Sequence, residues 1–244
     1  MSLPKIDVPV FETNLISTGK SVRFRPFLVK EQKLFLMAAQ SDDAKDVTNA
    51  IKQVLKNCIL DDKVDVDKLP TFDLENLFLN LRARSVGEIA NLRYTCNNIV
   101  KDDEGKDKSC GGLVKVDVNL LEIAPTKNSN HTDKIALSDK LGVCMKYPNF
   151  DMIDKLNKKD NVDILNLIAS CIDYVYDDEK VYYAKDVGEK EMIDFIENLQ
   201  QVDLEKIQKF FETMPKLTKD FDFKCPKCGY GEKVTIEGVQ NFFA

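Results

Sequence analysis

Two cysteines separated by two residues and followed by glycine, Cys225-Pro226-Lys227-Cys228-Gly229, are the residues of this chain best suited to chemistry. Thiolates at that spacing can both turn inward on a tight knuckle, and the glycine lets the backbone fold over a bound metal ion. Zinc then needs two more ligands. Cys96 and the Cys110 of Cys110-Gly111-Gly112 are the natural pair, each at the edge of a predicted strand. Residues 97–109 between them are almost all polar or charged, which suits a loop bulging away from the site. An ordinary zinc ribbon has C-x2-C in its first knuckle as well, so here that knuckle is expanded by an insertion. With four thiolates the coordination sphere is closed and holds no activated water, which makes the zinc structural.

Two other readings of the cysteines stay open. Free cysteines pack as small hydrophobes, and Cys58, Cys144 and Cys171 each lie on an apolar face or strand. That reading suits Cys225 and Cys228 poorly, because their neighbours are Lys224, Lys227 and Gly229. A redox C-x-x-C usually opens a helix after a strand, whereas strand-forming Val234-Thr235-Ile236 follows here. Other candidates for chemistry are weaker. His131, the single histidine, sits in a polar stretch with no nucleophile beside it and is expected to be an exposed loop residue. The runs Asp102-Asp103-Glu104 and Asp177-Asp178-Glu179 read as solvated turns, without the ligand spacing and bend glycine of a calcium loop. Gly19-Lys20-Ser21 resembles the end of a Walker motif but lacks the earlier glycine. The expectation is a protein that is not an enzyme.

At 244 residues the chain holds one large domain or two small ones, and 43% hydrophobic with 31% charged residues is an ordinary globular composition. The net charge of −6 is spread over intermixed acidic and basic residues. With no strongly basic segment, nucleic acid has no electrostatic footprint. There is no run of about 18 apolar residues to span a membrane. Met1-Ser2-Leu3-Pro4-Lys5 lacks the apolar stretch of a signal peptide. Seven cysteines without such a signal imply a reducing compartment, hence a cytosol.

The elements that must position the cysteines begin with strand structure in residues 6–15. Ser17-Thr18-Gly19-Lys20-Ser21 forms a turn, and a second strand through Val22-Arg23-Phe24-Arg25 is ended by Pro26. A helix is expected over residues 30–40 and another from Ser41-Asp42-Asp43, with Val47, Ile51, Val54, Leu55 and Cys58 at helical spacing. Residues 64–66 read as a short strand. Leu69-Pro70-Thr71-Phe72-Asp73 caps a helix with Leu74, Leu77, Phe78 and Leu81 on one face. Arg82 and Arg84 stand at its end, where cations complement the helix dipole or serve docking equally well. Strands over residues 89–95 and 113–123 flank the first cysteine pair. Residues 125–133 are polar and aperiodic, a linker. The apolar tail Val239-Gln240-Asn241-Phe242-Phe243-Ala244 either packs back on the core or inserts into a partner.

Beyond the linker the order of elements begins again. Ile135-Ala136-Leu137, a polar turn, and Val143-Cys144-Met145-Lys146-Tyr147-Pro148 repeat the strand-turn-strand-Pro pattern. Helices through Phe150, Ile153 and Leu156 and over residues 162–172 follow, and Ser170-Cys171-Ile172 parallels Asn57-Cys58-Ile59. Each half then reaches an aromatic-x-Cys strand, Tyr94-Thr95-Cys96 and Phe223-Lys224-Cys225. An internal duplication accounts for this order, and chance remains the alternative at low identity. The fold class is therefore α+β: two similar halves, each a β-hairpin followed by helices, joined by a zinc-ribbon-like β element. The boundaries are residues 1–124, a linker at 125–134, and 135–244.

Val22-Arg23-Phe24-Arg25-Pro26-Phe27 running into Lys30-Glu31-Gln32-Lys33, then Leu69-Pro70-Thr71-Phe72-Asp73 and Leu81-Arg82-Ala83-Arg84-Ser85-Val86-Gly87-Glu88, resemble the T4-like bacteriophage baseplate hub proteins. The two cysteine pairs are similar to that family's as well. The resemblance is clearest over residues 20–115 and 220–240. It implies a viral tail protein acting in baseplate hub assembly, as a hub subunit or as an assembly factor absent from the virion. It further implies hub and tail proteins as partners, host cytoplasm during assembly or the tail baseplate as location, and no catalytic residues. A zinc-ribbon nucleic-acid-binding protein and an oxidoreductase using Cys225 and Cys228 are the competing classes.

Overall fold

The computed structural model describes residues 6–38, 40, 44–102, 104–157 and 164–238. Strands β1 (Phe11–Asn14) and β2 (Ser21–Phe24) pair antiparallel and lead into helices α1 (Val29–Ala38), α2 (Ala44–Cys58) and α3 (Thr71–Val86). Strand β3 (Ile89–Thr95) pairs along its length with β6 (Leu113–Asn119), and between them β4 (Ile99–Lys101) and β5 (Asp107–Ser109) make a hairpin of their own. Further on come β7 (Lys134–Ala136), β8 (Gly142–Met145), α4 (Phe150–Asn157), α5 (Ile164–Cys171), β9 (Ile172–Tyr176) and β10 (Val181–Tyr183). The sheet order there is β10-β9-β8-β7. Helices α6 (Ala184–Val187), α7 (Glu189–Glu197) and α8 (Gln201–Thr213) precede the closing hairpin of β11 (Thr218–Lys224) and β12 (Gly231–Glu237). With eight helices and several small sheets among the described residues, the fold is α+β.

Two apolar cores result. The first is built on α3, which buries Phe72, Leu74, Leu77, Phe78, Leu79 and Leu81. It takes Val22 and Phe24 from the first hairpin, Val54 and Leu55 from α2, and Leu217 and Ile236 from the far end of the chain. The second core joins Val143, Ile168, Ile172, Met192, Ile196, Ile207 and Phe210. The two meet where Phe72 stands edge-on to Tyr147 at 4.9 Å between ring centroids. There Thr71 N–H donates to the Pro148 carbonyl at 3.1 Å, and Lys52 of α2 pairs with Asp151 of α4.

Several elements depart from the sequence expectations for local polar reasons. Residues 64–66 are not a strand, because the Asp65 carboxylate accepts the Asp67 N–H and starts a 3-10 turn over Val66–Lys68. The strand expected over residues 113–123 stops at Asn119, whose side chain accepts the Leu121 N–H in the same manner. Asp73 does not cap α3. Its carboxylate accepts the Ile16 N–H at 2.6 Å together with Ser17, fastening the first hairpin's turn to the helix. Residues 97–109 are a paired hairpin and not a loose loop. Further along the chain, β9 and β10 occupy a stretch read only as the end of a helix and an acidic turn. The helix start at Ser41-Asp42-Asp43, Val162, Asp103 and the apolar tail from Val239 lie outside the described residues.

Candidate metal centre

Strand β3 delivers Cys96 at its end, and β6 begins just after Cys110. Strand β11 delivers Cys225, and Cys228 precedes β12. The two hairpins face each other across Tyr94 and Phe223, whose rings meet edge-on at 5.9 Å. Leu92, Val116, Phe221, Val234 and Ile236 line the narrow apolar space between them. This apolar contact brings four sulfurs within 4.8 Å of one another. Cys96 Sγ lies 3.8 Å from Cys228 Sγ, and Cys110 Sγ lies 3.7 Å from Cys225 Sγ. A tetrahedral zinc with Zn–S bonds of about 2.3 Å has edges of about 3.8 Å. A disulfide would need about 2.05 Å, and all seven thiols are free.

Backbone geometry on both sides of the cluster follows one template. Cys96 N–H donates to the Gly112 carbonyl and Cys225 N–H to the Tyr230 carbonyl, each at 2.8 Å. Gly111 N–H returns to the Cys96 carbonyl and Gly229 N–H to the Cys225 carbonyl, each at 3.0 Å. Gly111 and Gly229 have φ of 61° and 74°, the left-handed region in which a side chain is strained. Gly112 is constrained differently: a Cβ there would lie 2.6 Å from Cys225 Sγ. Lys227 crosses to the opposite knuckle and donates to the Cys110 carbonyl at 2.7 Å.

The four thiols are not electrostatically alike. Burial pushes Cys96 up to about 12 and raises Cys110. The Tyr230 N–H, the Asn98 side-chain amide and the Cys110 thiol pull Cys228 down to about 6, against burial. With no cation present the cluster thus sustains the Cys228 thiolate readily and resists those of Cys96 and Cys110. The residues fit a soft divalent metal, which would stabilise all four charges at once.

The sequence reading missed three parts of this site. Asn98 and Lys227 gave no signal, because their roles depend on the opposing hairpin. The doubled glycine after Cys110 was visible, but the close approach at Gly112 was not. Cys58, Cys144 and Cys171 are buried away from the cluster.

Residues 8–244, which include both cysteine hairpins, match the model of the T4 bacteriophage base plate protein family. The chain belongs to this family. It is 24% identical over 225 residues to "Baseplate hub assembly protein gp26" of Enterobacteria phage T4, covering 92% of this chain and 93% of the relative. No solved structure matches the chain. The resemblance to T4-like baseplate hub proteins carried by residues 20–115 and 220–240 therefore holds across the protein.

Elsewhere in the chain, four arginines make contacts within the fold. Arg82 donates to the Gly87 carbonyl at the end of α3, and Arg84 pairs with Glu88 at 2.8 Å. Arg23 grips Asp61 through two nitrogens, at 2.7 and 3.1 Å. Glu31 is fully buried; burial opposes its charge, but Arg25 and the Leu28 N–H outweigh that and hold its carboxyl below the usual value. His131 is a correction to the expectation of an exposed loop residue. It is partly buried, with both ring nitrogens bonded and its ring against both Tyr147 and Phe210. The polar sequence around it hid contacts that come from residues 147 and 210–213. No helix among the described residues is long and apolar enough to cross a membrane.

Proposed function

We propose that this protein is a non-enzymatic component of phage tail morphogenesis that acts in baseplate hub assembly through protein–protein contacts, with a structural zinc held by Cys96, Cys110, Cys225 and Cys228. The observation that carries the assembly role is the family membership over residues 8–244, joined to a relative named for hub assembly. The relative's name favours an assembly factor over a permanent hub subunit. Partners are other baseplate hub or tail proteins, met in the host cytoplasm. Pull-down from infected cells with mass spectrometry should recover tail components, and recovery of none would overturn the reading. Proteomics of purified virions separates its two versions: a hub subunit is present there, an assembly factor is not.

The metal reading rests on sulfur spacings that match a zinc tetrahedron and on a closed donor set with no place for a reacting water. Metal analysis of the purified chain should give one zinc per molecule. Zinc-free protein whose melt ignores chelators would sink it, and reactive thiols in that protein would favour redox chemistry.

The same reading takes the chain as two related halves, residues 1–124 and 135–244, joined through residues 125–134. Supporting it, Arg25 N–H donates to the Cys58 carbonyl at 3.0 Å and Lys146 N–H to the Cys171 carbonyl at 2.7 Å. In each half the second hairpin strand thus receives the residue that follows a helix ending in cysteine, Phe24 facing Ile59 and Met145 facing Ile172. The paired knuckles then form a zinc-ribbon-like element with one hairpin from each half.

A further inference from the structure

We propose that the free edge of β10 is a self-association site, at which a second copy of this chain adds its own β10 antiparallel across a two-fold axis and joins two four-stranded sheets into one.

The two edges of the sheet β10-β9-β8-β7 are treated unequally. At the β7 edge, Thr132 Oγ1 accepts the Lys134 N–H at 3.2 Å and donates to the Lys134 carbonyl at 3.1 Å, so both of these backbone groups are occupied. Occupying the outward groups closes a sheet edge to other chains. The β10 edge has no such closure. Asp177 N–H donates to the Lys180 carbonyl at 3.0 Å and Tyr182 stands opposite Val175, so the even-numbered residues turn their backbone groups to β9. Val181 and Tyr183, one residue out of phase, turn theirs outward. Among the described residues neither outward N–H has a hydrogen-bond partner. The Tyr183 carbonyl is taken up in the first turn of α6, whereas the Val181 carbonyl is free.

Side chains at this edge are apolar and solvated. Val181 is 45% exposed and Tyr183 is 46% exposed. They share a face of the sheet with Tyr176 and Tyr174, their partners in the ladder, and the rings of Tyr174 and Tyr183 meet edge-on at 5.7 Å. The opposite face, with Val143, Val175 and Tyr182, packs on the second core. The tyrosine face thus runs out to an open edge, and tyrosine is enriched in contacts between proteins.

Self-complementarity selects a second copy as the occupant. A two-fold axis at Tyr182 sets Val181 against the Tyr183 of the other copy, so that outward residues meet outward residues. Each Tyr183 N–H then reaches a free Val181 carbonyl across the axis, and two cross-strand pairs form between a β-branched and an aromatic side chain. The same register brings Lys185 opposite Glu179 twice. Lys185 Nζ lies 5.3 Å over the Tyr183 ring, and Asp178 beside Glu179 is already paired with Lys140. Glu179 and Lys185 make no ion pair among the described residues, so each meets an unmet opposite charge. Three residues per strand bury less than a standard interface of about 1,600 Å², so the dimer is reversible, with a dissociation constant on the order of tens of micromolar.

Sedimentation velocity on the full chain from about 1 to 300 µM brackets that range. The average mass should rise from one chain towards two, and amide exchange at Val181 and Tyr183 should slow as concentration rises. Val181→Lys sets a charge against the opposing tyrosine and should weaken the dimer by about tenfold or more, with an unchanged melt because the side chain is solvated in the monomer. Glu179→Lys and Lys185→Glu should each weaken it by roughly threefold, and the two together should restore it. A chain that stays monomeric at the highest concentration, a dimer indifferent to Val181→Lys, or one that the double exchange fails to restore would overturn the proposal.

Discussion

The two cysteine knuckles reach the same geometry from unequal sequences. One spaces Cys225 and Cys228 by two residues; the other spaces Cys96 and Cys110 by residues 97–109. Both nevertheless close with the same pair of backbone hydrogen bonds and a left-handed glycine after the second cysteine. The insertion leaves the template intact because it leaves and re-enters as a hairpin: Cys110 N–H bonds the Asn98 carbonyl at 2.8 Å, directly below the β4–β5 ladder. Knuckle geometry is thus set by the residues flanking the two cysteines, and not by the length of chain between them. The difference lies one residue further on, where the tight knuckle carries Tyr230 and the expanded one carries Gly112.

The comparison breaks most visibly at the four cysteines. Cys96→Ser and Cys225→Ser should each abolish stoichiometric zinc and lower the melting temperature by similar, large amounts, since structural zinc supplies about 10–16 kcal/mol of apparent binding energy in finger peptides. Unequal losses would mean that one knuckle holds metal alone. Zinc is expected to be retained at higher pH and released on acidification, because thiolates raised as Cys96 is must compete with protons; metal analysis after dialysis at stepped pH measures this. Next in size is the asymmetric pair. Gly112→Ala forces a methyl against Cys225 Sγ and should cost about 1–3 kcal/mol by overpacking, whereas Tyr230→Ala should be nearly neutral in chemical denaturation. Gly111→Ala and Gly229→Ala should then cost about 1–2 kcal/mol each, in equal measure, as left-handed backbone demands. Smallest is the replacement of residues 97–109 by Pro-Lys. Easier loop closure gains about 1–2 kcal/mol, offset by loss of the β4–β5 pairing, so stability should change by less than about 1 kcal/mol with one zinc retained. Loss of zinc there would show that the insertion is part of the site.

Much of the fold could be read along the chain where periodicity was strong. The strand over residues 89–95, the helix through Leu74, Leu77 and Leu81, and the paired strands around residues 135–145 stand where spacing put them. The readings that failed are those in which a side chain competes for backbone. Asp65 and Asn119 each turn a would-be strand into a 3-10 turn, and Asp73 reaches a loop more than fifty residues away. The β4–β5 hairpin was hidden by its polar and charged sequence, because with only Val100 packed against the cysteine cluster it has no apolar alternation to betray it.

Sequence alone determined the candidate thiols, the sharp Cys225–Cys228 knuckle and the family, since these depend on residue identity and short spacing. The sequence also named Cys96 and Cys110 as the remaining pair; tertiary structure decided that they approach Cys228 and Cys225, across 132 and 115 residues. It decided that the hairpins meet on Tyr94 and Phe223, and that His131 is held and not loose. Contacts between distant segments are selected by burial and by complementary donors, and neither is written in the residues beside them.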